Sequence, residues 1–156
     1  MSTLYGNQYQ AALVDVPSSK IKGKDLGGDV KRMYFDFDVS AAPIAGDVIK
    51  LGKLPKGARV HNACLQFPDL GTAGILNLGW AAGAEGLEAA DADGLLVNVD
   101  VNSAADAVSM QIQMEAGGAN AGYLKEFAEE VEIQIDVATA WTAVAGTIKG
   151  FVEFIY

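Results

Sequence analysis

The sequence predicts an all-β chain: an antiparallel β-sandwich, jelly-roll-like in wiring, with an extended N-terminal arm. Three observations predict it. Apolar and polar residues alternate over short runs: Met33, Phe35, Phe37 and Val39 against Tyr34, Asp36 and Asp38, then Val131, Ile133, Ile135 and Val137 against Glu132, Gln134 and Asp136. A period of two places one set on the buried face of a sheet and the other toward water or a partner. Glycine and proline punctuate the chain between the runs, and no segment carries the periodicity of a long amphipathic helix.

Residues 1–28 have few apolar positions in register and end in Lys20-Ile21-Lys22-Gly23-Lys24-Asp25-Leu26-Gly27-Gly28. They read as an arm or a long entry loop, in which Ala11–Val16 fits one edge strand closed by Pro17. The sandwich domain, residues 29–156, begins with a strand over Asp29–Ser40. Pro43 and Gly46 mark a turn before a second strand, Asp47–Leu54. Pro55-Lys56-Gly57 is a strong turn, because proline presets φ and glycine tolerates a positive one. A third strand over Arg59–Phe67 closes at Pro68-Asp69-Leu70-Gly71, and a fourth follows over Ile75–Ala81. Glu85–Gly94 reads as a small-residue loop, with later strands over Leu95–Val101, Val108–Met114, Glu130–Val137 and Thr147–Tyr156, the last suited to a central position. Between Ala119 and Glu130, Tyr123, Leu124 and Phe127 fit one or two helical turns. Eight short strands favour a sandwich over a parallel sheet, which needs crossover helices. Strand count alone leaves a lipocalin-like barrel as the competing architecture. No fixed-period repeat points to a propeller or solenoid.

A length of 156 residues with 51% hydrophobic content suits one domain with a real core and no need of a metal or disulfide staple. Cys64 is the lone cysteine, which fits assembly in a reducing cytoplasm. No basic flank precedes an apolar run at the N-terminus, so no signal peptide is expected. No run approaches the roughly 18 apolar residues of a membrane span. Net charge is −9, unevenly spread: +3 over residues 1–60 and −12 over residues 61–156. Such a surface disfavours nucleic acid as a partner, since most of it would repel a phosphate backbone.

The chain carries little catalytic equipment. Asp91-Ala92-Asp93-Gly94 superficially resembles a calcium loop but lacks its third ligand and terminal bidentate glutamate, so a solvated turn is expected. His61 has no cysteine or second histidine to make a zinc site and reads as a structural or interface residue. Glu126, Glu129, Glu130 and Glu132 offer carboxylates, yet a charge run at a strand entry more often solubilises and protects an edge. Trp80 alternates with Leu76 and Leu78 and belongs in the core. Trp141, in a turn region, is the candidate exposed aromatic contact. Gly71-Thr72-Ala73-Gly74 lacks the lysine and helix of a phosphate loop. The reading is a non-enzymatic domain with no cofactor and no metal.

At Gly46–Val60 (GDVIKLGKLPKGARV) the strand-turn-strand resembles a recurring segment of small virion structural proteins of tailed bacteriophages. Phe67–Gly71, Ala89–Gly94 and Gly146–Lys149 have the same flavour. The likeness is greatest to capsid decoration (cement) proteins. It implies a protein on the capsid exterior, assembled in the host cytoplasm, with the major capsid protein as partner and a homotrimer as its own state. It implies neither nucleic-acid nor membrane binding. The arm would then reach neighbouring subunits, with Tyr5 and Tyr9 as anchors and Lys20, Lys22, Lys24, Lys31 and Arg32 matching acidic capsid loops. The rival expectations are a carbohydrate- or receptor-binding module built around Trp141, a small hydrolase, and a neck or tail component.

Overall fold

The computed structural model describes residues 29–39, 43–102, 106–117, 120–142 and 145–156. The arm proposed for residues 1–28, with Tyr5, Tyr9, Lys20, Lys22 and Lys24, lies outside the described residues. Within them the elements are β1 (Val30–Val39), β2 (Val48–Leu54), β3 (Arg59–Phe67), β4 (Ile75–Trp80), β5 (Asp91–Asp100), β6 (Asp106–Ser109), α1 (Met110–Glu115), β7 (Val131–Thr139) and β8 (Gly146–Ile155). They form two antiparallel four-stranded sheets, ordered β1-β8-β3-β6 and β2-β7-β4-β5. The pairing is nested, β1 with β8, β2 with β7, β3 with β6 and β4 with β5. The chain is therefore an all-β sandwich, as its alternation predicts, and β8 is a central strand.

Alternation decides which face each residue takes. From the first sheet Phe35, Val39, Leu65, Ile148 and Val152 point inward; from the second, Leu76, Leu78, Ile133, Ile135 and Val137 meet them. Full burial of one such aliphatic side chain stabilises by about 1.5–3 kcal/mol, and a one-residue slip would turn the whole row to water. Gly150 on β8 marks a close approach. A Cβ there would run into the Cys64 carbonyl oxygen of β3 and lie 2.6 Å from Phe35 Cζ. The turn between β2 and β3 forms as predicted: the Ala58 amide donates to the Pro55 carbonyl at 3.0 Å, and Gly57 takes φ +83°.

Three segments differ from expectation. The loop read over Glu85–Gly94 ends early, because β5 begins at Asp91, paired with Trp80 through two register irregularities. Gly94 lets that pairing form, since a Cβ there would collide with the Trp80 ring. The strand expected over Val108–Met114 turns into α1 after Ser109, whose side chain accepts from the Ile112 amide as an N-cap. Met110 and Met114, four residues apart, then share a helical face, and Ile112 is left 56% exposed. The segment before β7 holds turns in place of a helix; Leu124 has φ +57°, and its amide donates to the Val60 carbonyl at 2.8 Å.

Candidate functional site

The outer face of the first sheet carries a continuous stripe built by the β1–β8 register. Outward positions pair as Arg32 with Glu153, Tyr34 with Phe151, Asp36 with Lys149 and Asp38 with Thr147. Arg32 Nε and Nη2 both lie 2.5 Å from Glu153 Oε1. Its guanidinium carbon sits 4.9 Å from the centre of the Phe151 ring, and Nη1 donates to Tyr34 Oη at 3.4 Å. Those bonds to Tyr34 and Glu153 raise the Arg32 pKa further above its already high value. Tyr34 and Phe151 meet edge to face with centroids 6.2 Å apart, and Thr147 Oγ1 donates to Asp38 Oδ1 at 2.7 Å. At the same end of the strand pair, on the other parity of the register, Lys31 Nζ lies 5.2 Å over the Tyr156 ring.

This end is also apolar. Tyr34 and Val30, on the outward parity of β1, are 69% and 59% exposed, and Tyr156 beside Lys31 is 61% exposed. An exposed cluster of aromatic and arginine side chains has the composition that protein interfaces favour. Of the expected contacts Arg32 stands on it, whereas Lys31 takes the other parity of β1, shared with Met33 and Phe35. Tyr34 was not singled out in the sequence, although its outward position in the alternation of β1 is the signal that finds it.

Beside the stripe a cavity of about 550 Å³ opens on the same face, lined among others by His61, Asn62, Met114, Glu115, Tyr123 and Glu153. A β-bulge in β3, with a register shift between Val60 and Asn62, carries His61 and Asn62 to its wall. His61 Nε2 and Asn62 Oδ1 are buried without a hydrogen-bond partner.

The carboxylates elsewhere have structural work. Glu129 is 2% exposed and accepts from the amides of Glu85, Leu87 and Glu88 at 2.6, 2.7 and 2.7 Å. Burial opposes its ionisation, but these amides prevail and hold its pKa below the ordinary value. Glu88 likewise accepts from the Ala128 amide at 2.7 Å and pairs with Lys125 at 2.8 Å, and its pKa is lowered against the pull of burial. Together they fasten the loop between β4 and β5 to the strand entry at β7. Glu130 and Glu132 pair across to Lys53 and Lys50 of edge strand β2, each at 2.8 Å. Asp91 lies within β5, and burial followed by the neighbouring Asp93 raises its pKa. No group of three or more potential metal ligands gathers among the described residues.

Trp141 corrects the expectation of an exposed contact: it is 3% exposed. Its indole lies over Gly74, where an added Cβ would come within 2.9 Å of Trp141 Cβ. The surrounding loops are tied by Gly74 N to Asn102 Oδ1 at 2.8 Å and Thr72 N to Thr142 Oγ1 at 3.1 Å. Trp80, expected in the core, is 2% exposed and donates to the Ala89 carbonyl at 2.9 Å.

A chain of the solved capsid of Ralstonia phage GP4 is similar to this chain with a TM-score of 0.65 and 26% identity, over 82% of this chain and 84% of its own length. A chain of the cyanophage Pam1 capsid asymmetric unit is similar with a TM-score of 0.63 and 23% identity, over 96% of both chains. No protein-family model and no curated protein sequence matches. The second likeness speaks to fold alone. The first likeness supports a phage virion structural protein.

Proposed function

We propose that this chain is a capsid decoration protein of a tailed bacteriophage. It binds the outer shell and reinforces contacts between major capsid subunits without catalysing a reaction. The observation that carries the reading is the likeness to a chain of the phage GP4 capsid over more than four-fifths of both lengths. The nested strand order supports a jelly-roll wiring, a double-sheet form used in viral shells.

The outer stripe headed by Arg32 and Tyr34, with Lys31 and Tyr156 at the strand end beside it, is the proposed capsid-facing surface. Its cations steer the encounter with acidic capsid loops, and its aromatic side chains supply the buried contact area. On this reading Tyr5, Tyr9, Lys20, Lys22 and Lys24, within residues 1–28, add contacts to a neighbouring subunit. Self-association as a homotrimer places three such surfaces around one symmetry axis. The major capsid protein is the partner, the capsid exterior the location and the host cytoplasm the place of assembly. Neither nucleic acid nor membrane is bound. Burial of Trp141 removes the aromatic platform on which a glycan-binding alternative depended.

The test is co-sedimentation with phage shells lacking the chain. Binding near one copy per capsid subunit or per symmetry axis, weakened by Arg32→Glu and by added salt, is the expected result. Retention that neither Lys31→Glu with Arg32→Glu nor removal of residues 2–28 diminishes would sink this assignment of the surface.

A further inference from the structure

We propose that the free edge of β1 pairs antiparallel with β1 of a second copy of this chain, joining their first sheets into one across a two-fold axis. The inference rests on the edge itself and not on the virion reading. An edge strand leaves alternate backbone N–H and C=O groups without a ladder partner, and folded proteins shield such rows with bulges, short strands, lysines or covering loops. The sandwich has four edges, β1 and β6 in one sheet and β2 and β5 in the other. Three are shielded. β6 is only four residues long. β2 is bent by a register shift between Lys50 and Gly52 and carries the exposed Lys50 and Lys53. β5 is capped by side chains and a loop. Gln113 of α1 accepts from the Val97 amide at 3.0 Å and donates to the Val97 carbonyl at 2.7 Å. Asn120 Nδ2 and the Gly122 amide donate to the Leu95 and Gly94 carbonyls at 2.6 and 2.7 Å. β1 has no bulge, cap or proline. Its ten residues run in unbroken register with β8, and among the described residues no hydrogen bond from a loop or side chain reaches its backbone.

The charges of β1 select the occupant. Lys31 and Arg32 stand at one end, Asp36 and Asp38 toward the other. Parallel pairing in register would set like charges side by side, which destabilises. Antiparallel pairing reverses one copy and brings opposite signs together. With Tyr34 on the axis, Arg32 of each copy faces Asp36 of the other, Val30 faces Asp38, and the two Tyr34 rings meet on the outer face. Behind them Lys31 faces Phe37 and Met33 faces Phe35. Asp36 is open to this contact: it stands opposite Lys149 with no ion pair between them, whereas Asp38 already accepts from Thr147. Ala11–Val16, the strand expected in the arm, holds Asp15 and no cation, so it answers one end of β1 and not the other. A second copy answers both. Pairing through the edge leaves the Arg32–Tyr34 stripes of both copies on the same side, so the proposed capsid-facing surface is extended and not buried. It is also compatible with a trimer, because neighbouring three-fold positions on a shell are related by two-fold axes.

Sedimentation velocity of the full chain over a wide concentration range tests the pairing, with Arg32→Glu, Asp36→Lys and an equimolar mixture of the two. Both positions are exposed. Each variant alone sets like charges opposite one another at both symmetry-related pairs, so association weakens about tenfold or more. In the mixture opposite charges face each other at both pairs, and association returns to that of the unmodified chain. Restoration also shows that both variants are folded. An unmodified chain that stays monomeric, variants that associate as the unmodified chain does, or a mixture no better than its components overturns the pairing. A monomer that associates only after removal of residues 2–28 assigns the edge to the chain's own arm and overturns it too. Shell binding is scored separately: its absence beside a restored mixture removes the virion reading and leaves the pairing standing.

Discussion

Phe127→Ala tests whether the irregular segment before β7 belongs to the core. Phe127 is 1% exposed, and its ring meets Trp80 edge to face with centroids 5.1 Å apart. Lys125 Nζ lies 5.7 Å from the centre of each ring. The Phe127 amide donates to the Ala58 carbonyl at 3.0 Å, and its carbonyl accepts from the Gly57 amide at 2.8 Å. Truncation therefore removes a fully buried ring while the backbone stays pinned to the β2–β3 turn, so the cavity cannot collapse freely. Such a change costs about 3–5 kcal/mol. At about 2–4 °C per kcal/mol for a chain of this size, Tm falls by about 6–20 °C. Urea unfolding followed by tryptophan fluorescence measures it, with a lowered midpoint and an unchanged m-value. A double-mutant cycle with Trp80→Phe adds a coupling of about 0.5–1.5 kcal/mol. A loss below about 1 kcal/mol would refute the view that this segment closes the core.

Gly150→Ala should destabilise by about 1–3 kcal/mol or prevent folding, since the added carbon meets the backbone of β3; wild-type stability would contradict the β8–β3 register. Glu88 and Glu129 have pKa values below the ordinary 4.5, so the stability they contribute is fully present above that pH and is lost as pH falls through their folded values. Denaturation midpoints should therefore drop below about pH 4.5 and drop less in Glu129→Gln; identical pH slopes in the two proteins would remove Glu129 from the account. Asp91, raised by burial, contributes with the opposite sign and partly flattens the wild-type curve. Burial also pushes the Cys64 thiol up, so a disulfide reagent should label it far more slowly in the folded chain than in urea; equal rates would place Cys64 at the surface.

The sandwich was legible because alternation is strong where one sheet face is buried. Val131–Val137 and Met33–Val39 place their apolar sets inward with no ambiguity of phase. Alternation misled at Val108–Met114, where Val108, Met110, Ile112 and Met114 satisfy a strand while Met110 and Met114 alone satisfy a helix face. Ser109 was the deciding signal, as a cap set just ahead of that pair. At Asp91–Gly94 turn-forming residues occupy a strand because Gly94 makes room for Trp80. Trp141 looked exposed because its neighbours resemble a turn, and the glycine that accommodates it is Gly74, far away in sequence. The half of the candidate site on β1 could be read from Lys31 and Arg32. The cavity could not, since a bulge in β3, α1 and a loop in the 120s converge on it from segments whose local patterns say nothing of one another.

Cryo-electron microscopy of the phage particle tests the central claim most directly. Density for this chain on the outer shell, in copies that track the capsid subunits, with the Lys31–Arg32 end of β1 turned toward the shell, is the predicted result. Density confined to the portal, neck or tail, or none on the particle, would contradict the account.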